Sequence, residues 1–461
     1  MLHNLSTDDL RALDAAHHLH PFTDHGALGL SERRVIVRAD GVWLWDSEGN
    51  RILDGMAGLW CVNVGHGRNE IVEAVRAQMS ELAYYNTFFK TTHEPVIRLS
   101  QMVAEIAPDA MNMVFFGTSG SDSNDTILRM VRTYWDLMGK PHKKTIIARH
   151  NAYHGSTMGA ASLGGMAAMH SQGGLPIPGI VHVDQPYWFG SGQDMTPDQF
   201  GVHAARALEN AIDAIGEEHV AAFIAEPIQG AGGVIIPPET YWPEVKRILE
   251  ERDILFICDE VICGFGRTGE WFGCQTYGLT PDFMTIAKGL SSGYLPIGGV
   301  VVCDKVAKVF HERGGEFYHG YTYSGHPACC AAAIANLEII RREKLVERVR
   351  TDIGPYLAER WLALGEHELV GEARMKGLLG ALELVPDKSD TTKRFAPVGA
   401  VGTLARDFSF ANGLVMRAVR DSLILSPPLT LSHEEADEVV ALARKTLDDT
   451  WAELKRLGRL G

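Results

Sequence analysis

Ile254-Leu255-Phe256-Ile257-Cys258-Asp259-Glu260 and Phe283-Met284-Thr285-Ile286-Ala287-Lys288-Gly289 decide the architecture. Each is a short, continuous apolar run that closes on a charged residue. Runs of this kind suit strands buried on both faces of a parallel sheet. In open α/β sheets, ligands bind beyond the carboxyl ends of the strands, which is where Asp259 and Lys288 are expected. A lysine and an aspartate delivered to one edge suit one chemistry above others. The amine forms an imine with an aldehyde cofactor, and the acid holds the proton of a pyridine nitrogen. Pyridoxal phosphate meets both demands.

Outward from these runs, apolar strands alternate with helical stretches. The 3.6-residue spacing predicts helices over 69–82, 94–106, 121–138, 203–215 and 240–252, and strands over 112–116, 144–148, 220–225 and 298–303. Such alternation predicts an α/β fold, a mostly parallel sheet flanked by helices. Residues 35–54 alternate like a small antiparallel sheet, with turns at Asp40-Gly41 and Glu48-Gly49-Asn50. The chain turns helical near residue 330, and mixes strands and helices again after Gly371, as a smaller α+β domain would. The expected division is an N-terminal segment (1–61) that joins the small domain, a large cofactor-binding domain (62–335) and a C-terminal small domain (336–461).

The 461 residues are 46% hydrophobic and 22% charged, ordinary values for a globular protein. A net charge of −15 argues against nucleic acid or an anionic membrane as partner. The seven cysteines, Cys61, Cys258, Cys263, Cys274, Cys303, Cys329 and Cys330, form no C-x-x-C pair, and read as small buried hydrophobes in a reducing cytoplasm. Met1-Leu2-His3-Asn4 has neither a basic nor an apolar leader region, so a cytoplasmic protein is expected. His17-His18-Leu19-His20 reads as no metal centre: adjacent histidines point apart and no ligand cluster follows.

Gly117-Thr118-Ser119-Gly120-Ser121 lies between an apolar strand and a helix start. Small residues there let backbone N–H groups approach a phosphate, although the same residues also simply make a tight turn. Asp122, in the first helical turn, should face away from a phosphate. Asp259 is either the partner of a ring nitrogen or a helix cap or ion pair to Arg267. Lys288, unless it snorkels to the surface, is buried, which lowers its pKa and frees the nucleophilic amine. Tyr153, in Tyr153-His154-Gly155, offers a ring to stack on a pyridine, or fills a core. Val261 shares the side of Asp259 in extended chain and would pack the other ring face.

Three segments together resemble class III, pyridoxal-phosphate-dependent aminotransferases: Glu226-Pro227, Asp259-Glu260-Val261-Ile262-Cys263-Gly264-Phe265-Gly266-Arg267-Thr268-Gly269 and Thr285-Ile286-Ala287-Lys288-Gly289-Leu290. The 29-residue step from Asp259 to Lys288 is similar to that family's spacing. Asp54-Gly55-Met56-Ala57-Gly58-Leu59-Trp60-Cys61-Val62-Asn63, Tyr85-Asn86-Thr87-Phe88-Phe89-Lys90-Thr91-Thr92-His93 and Tyr321-Thr322-Tyr323-Ser324-Gly325-His326-Pro327 resemble the ω-amine:pyruvate branch, which includes putrescine– and β-alanine–pyruvate enzymes. The likeness runs from about residue 15 to the C-terminus.

That resemblance implies the type I pyridoxal-phosphate fold and a homodimer with shared active sites, or a tetramer. Lys288 would carry the Schiff base. Ser119, Gly120 and Ser121 would cradle the phosphate, joined by Thr322 of the neighbouring subunit. Tyr153 and Val261 would sandwich the ring, Asp259 would bind its nitrogen, and Glu226 would support that region. Phe22, Trp60, Tyr153, Ala231 and the neighbour's Phe88 would shape the substrate pocket. Arg417, otherwise a surface ion-pair residue, would swing in to hold a carboxylate and out for a carboxylate-free amine. Asp122, Ser123 and His66 depart from the branch's usual glutamate, alanine and tyrosine. The implied reaction carries nitrogen from a primary amine or ω-amino acid, a putrescine-like diamine first, to pyruvate, leaving an aldehyde or ketone and L-alanine. A decarboxylase, an aminomutase or a non-catalytic relative of the same fold are the alternatives.

Overall fold

Six strands of the central sheet run one way and one runs against them. A computed structural model describes residues 5–30 and 33–460, so the leader reading at Met1–Asn4 lies outside the described residues. The sheet holds β4 (Met111–Gly117), β5 (Thr145–Arg149), β6 (Ile180–Val183), β7 (Val220–Ala225), β8 (Leu255–Asp259), β9 (Phe283–Ile286) and β10 (Gly298–Cys303). Their order is β4-β10-β9-β8-β7-β5-β6, and β10 is antiparallel to both neighbours. The carboxyl ends of β4, β5, β7, β8 and β9 therefore share one edge with the start of β10. Strand β6, four residues long, carries no sequence signal strong enough to predict it.

Helices cover the sheet, and the core between them is continuous apolar packing that includes Trp135, Phe223, Trp242 and Ile257. The Gly120–Leu137 helix starts after β4 because Ser119 and Asp122 form a capping box. The Pro197–Ile215 helix begins six residues before the 203 expected from spacing. Thr196 and Gln199 cap it and Pro197 sits in its first turn, so its polar start hides the apolar period.

Two antiparallel sheets lie outside this body. One is β1 (Ile36–Asp40), β2 (Trp43–Asp46) and β3 (Arg51–Leu53). The other is β11 (Val370–Lys376), β12 (Leu379–Leu384), β13 (Arg417–Val419) and β14 (Ser422–Leu425), in the order β11-β12-β14-β13. Leu53 ties them together: its N–H donates to Gly413 O at 2.8 Å, and its carbonyl accepts from Val415 N at 2.9 Å. Among the described residues, no helix is long and apolar enough to cross a membrane.

The histidine segment is a correction to the expectation of divergent rings. His18 Nδ1 and His20 Nε2 converge on the two oxygens of Asp14, at 2.9 and 2.7 Å. The helix ends at His17 and the chain becomes extended at His18, which folds His20 back over the helix. Arg33 Nε holds the same carboxylate at 3.0 Å, making this a salt-bridged latch.

Candidate active site

A cavity of about 390 Å³ opens at the shared strand edge. Its wall is assembled from the segment after each strand: Thr118–Ser121 after β4, Tyr153–Gly155 after β5, Glu226 after β7, Asp259–Ile262 at the end of β8, and Ala287–Lys288 after β9. Leu295–Ile297, just before β10, and Leu59 complete it. Nine residues expected at the cofactor thus separate cleanly. Ser119, Gly120, Ser121, Tyr153, Glu226, Asp259, Val261 and Lys288 line one cavity, whereas Thr322 lies away from it within the chain.

Lys288 stands at φ +45°, a left-handed conformation uncommon for a side-chain-bearing residue. It is the first residue of a short 3-10 turn after β9. Its amine has no hydrogen bond or ion pair among the described residues, and burial lowers its pKa against the pull of Asp259. A lowered pKa favours the nucleophilic form of the amine, which has no hydrogen-bonding partner among the described residues.

Asp259 is 3% exposed and well ordered by donors. Oδ2 accepts from His154 Nδ1 at 2.7 Å and from Asn124 Nδ2 at 3.0 Å, while Oδ1 accepts from Val261 N at 3.1 Å. These three donors fix the carboxylate in one orientation at the end of β8. Arg267 is not its partner: that guanidinium binds Asn63 Oδ1 at 2.8 Å and the carbonyl of Pro427. Glu226 is buried, which raises its pKa, and its oxygens accept from Tyr153 N at 3.2 Å and Gly230 N at 2.9 Å. It holds the Tyr153 loop against the sheet edge.

At the helix start, Asp122 turns back and accepts from Thr118 N at 2.8 Å and Ser119 N at 2.9 Å. It faces away from the cavity, as expected. The amides of Gly120 and Ser121, at the first two helical positions, stay free for an anion. Space is tight there. A Cβ on Gly120 would meet Val261 Cγ2 at 2.9 Å, and one on Gly155 would meet Ser121 Oγ at 2.6 Å. Ser123 turns inward and donates to Ser119 O at 2.6 Å, and His66 Nε2 sits 2.9 Å from Asp54 Oδ2.

Of the expected substrate residues, Tyr153 lines the cavity, whereas Phe22, Trp60, Phe88, Ala231 and Arg417 do not form its wall. Phe22 is 73% exposed, with its ring edge-on to Tyr153 at 6.2 Å. Trp60 is 1% exposed among Met56, Ile228 and Ile262, and its Nε1 lacks a partner. Ala231 is buried, and Phe88 packs on Phe89. Arg417 opens β13; its guanidinium has no ion pair among the described residues, and Tyr153 is the titratable group that acts on it.

Sequence reasoning missed Asn124 and His154. His154 was within a quoted motif, but nothing in sequence distinguishes its ring from a core histidine. Asn124 is a fully buried asparagine on a helix, and only its polar presence four residues after Gly120 hinted at a role.

The arrangement fits pyridoxal phosphate on geometric grounds: helix amides at one end, an amine without a hydrogen bond among the described residues, a carboxylate held by three donors, and glycines where a Cβ would close the cradle. Residues 29–447 match the family model Aminotransferase class-III. The putrescine–pyruvate aminotransferase of Pseudomonas aeruginosa is 59% identical over 449 residues, 97% of this chain and 98% of that one. The diaminobutyrate–2-oxoglutarate transaminase of Halomonas elongata is 42% identical, over 97% and 96%. Among solved structures, an (S)-enantioselective ω-transaminase from Thermomicrobium roseum superposes with a TM-score of 0.93 at 42% identity, covering 97% of this chain and 99% of that one. An ω-transaminase from Pseudomonas jessenii in complex with PMP gives 0.94 at 37%, covering 98% and 100%. The chain belongs to the class III aminotransferases, enzymes of the type I pyridoxal-phosphate fold.

Proposed function

We propose that this enzyme transfers the amino group of a primary amine, with a putrescine-like diamine favoured, to pyruvate, leaving an aldehyde and L-alanine. The observation that carries the reading is the 59% identity, over 97% of the chain, to a putrescine–pyruvate aminotransferase. Bound pyridoxal phosphate supplies an electron sink for the substrate carbon. The chain's own residues do the rest. The Gly120 and Ser121 amides bind its phosphate, and Tyr153 and Val261 hold its ring. Asp259, held by His154 and Asn124, would keep the ring-nitrogen proton in place. The Lys288 amine, whose pKa burial lowers, would hold the cofactor's aldehyde carbon and, once released, move a proton at the substrate carbon. Arg417, with no partner of its own, binds the pyruvate carboxylate through paired N–H groups and withdraws for a diamine.

We also read the enzyme as a homodimer, or as a tetramer made of two such dimers. Phe89 is 88% exposed, Tyr318 78% and Tyr323 60%, which leaves aromatic surface for a second copy. In that assembly the partner supplies Thr322 and Phe88. The segments 1–61, 62–335 and 336–461 act as the arm, the cofactor body and the substrate-gating domain. Seven unpaired cysteines fit a cytoplasmic setting.

The test is a panel of amines offered with pyruvate or with 2-oxoglutarate, reading alanine or glutamate formed. Putrescine with pyruvate should turn over fastest, with parallel double-reciprocal lines. Glutamate formation from 2-oxoglutarate at a higher rate overturns the acceptor, and intersecting lines overturn the two-stroke scheme.

A further inference from the structure

Asn124 links Asp259 to Thr285 in a buried chain, and Thr285 has no part in the site described so far. Thr285 lies in β9, three residues before Lys288, and its register partner in β8 is Asp259. Its Oγ1 donates to Asn124 Oδ1 at 2.6 Å. Asn124 Nδ2 donates twice, to His154 O at 2.7 Å and to Asp259 Oδ2 at 3.0 Å. Asn124 and Thr285 are both fully buried.

The direction of the chain is forced by the inventory of donors and acceptors. The carbonyl of His154 only accepts, and Asp259 Oδ2 already accepts from His154 Nδ1. Both must therefore face the amide nitrogen of Asn124. A reversed amide would set its oxygen against two acceptors at a fully buried position. With the nitrogen so committed, the amide oxygen points to β9 and the Thr285 hydroxyl can only donate. The Asn124 amide is then saturated at its donors and pinned at its acceptor.

We propose that Asn124 is a positioning residue for the cofactor ring, anchored by Thr285, which holds the Asp259 carboxylate in register with the strand that carries Lys288. The strand bearing the amine and the strand bearing the acid are thereby coupled through side chains as well as through the sheet. The donor from Asn124 also shares Oδ2 with His154, so that Oδ1, bonded only to the Val261 amide, is the oxygen left to face the cavity. Partners one step removed from a reacting centre commonly change affinity about 10–100-fold when lost, the magnitude known for metal sites.

The inference rests on the reading of Asp259 as the ring-nitrogen partner, and the test separates the two. Holoenzymes of wild type, Asn124→Ala, Thr285→Val, Thr285→Ser and Asp259→Asn are compared by two readouts. One is the rate at which pyridoxal phosphate leaves on dilution, followed by visible absorbance. The other is the pH midpoint of the bound cofactor's visible band. Asn124→Ala and Thr285→Val should release cofactor about tenfold faster and move the midpoint, while Thr285→Ser, which keeps the hydroxyl, stays within about twofold of wild type. Should Asn124→Ala fail to fold, the valine–serine pair at 285 decides alone. Wild-type release and an unmoved midpoint in Thr285→Val overturn the coupling, as does a serine variant as damaged as the valine. If Asp259→Asn itself retains cofactor with an unmoved midpoint, the role of Asp259 fails; if Asp259→Asn loosens the cofactor and the Thr285 variants do not, only the coupling fails.

Discussion

An amine and an acid share one cavity in different surroundings. Burial lowers the pKa of Lys288 against the pull of Asp259, and its amine has no hydrogen bond among the described residues, whereas Asp259 has three donors. Lys288→Ala should lower alanine formation by about 10³-fold or more, the loss of nucleophile and proton carrier together. Its depressed pKa also makes a stability statement. In cofactor-stripped protein the unfolded chain binds a proton that the folded amine resists, so stability rises with pH up to the ordinary lysine value. Lys288→Met should therefore melt higher than wild type near pH 7, and the difference should shrink towards pH 10 in calorimetry. Arg417→Ala should raise the KM for pyruvate about tenfold or more, since a hydrogen bond to a charged group contributes about 1.5–3 kcal/mol. The half-reaction with putrescine should be nearly unchanged, read by rapid-mixing absorbance.

At the scale of elements, the helix after β4 is both a cap and a binding device. Asp122 takes the Thr118 and Ser119 amides, which leaves only the next two for phosphate. Asp122→Ala should cost about 1 kcal/mol in denaturant unfolding, the usual loss of a helix N-terminal cap. Gly155, at φ +135°, lets the loop after β5 touch Ser121. Gly155→Ala should cost about 1–3 kcal/mol by overpacking and should weaken cofactor retention as well, because the displaced atom belongs to the phosphate cradle. Helix starts were the least legible elements. Capping residues such as Thr196 carry no apolar period, so the first turn of Pro197–Ile215 reads as loop.

For the whole molecule, the N-terminal sheet is stitched through Leu53 to the turn leading into Arg417. The distant ends of the chain thus meet beside the site. The exposed Phe89 belongs to the surface assigned to a second copy. Phe89→Asp should shift sedimentation towards half the wild-type mass and reduce turnover with every amine alike, since Thr322 lies away from its own chain's cavity.

The apolar runs around Asp259 and Lys288 were sufficient for the sheet, its mostly parallel sense and the edge at which chemistry occurs, because burial on both faces leaves a continuous pattern that no other element produces at that length. Ser119, Gly120, Ser121, Tyr153, Val261, Asp259 and Lys288 were legible because each lies at or just after a strand end and strand ends converge, while Glu226 came from the family resemblance alone. Tertiary structure alone decided what joins them. The inward turn of Asn124, the pairing of His154 with Asp259, the diversion of Arg267 to Asn63 and Pro427, and the convergence of His18 and His20 on Asp14 are contacts between segments far apart in sequence or across an irregular turn. Local periodicity records which face of a segment is buried; it holds no record of which polar partner waits there.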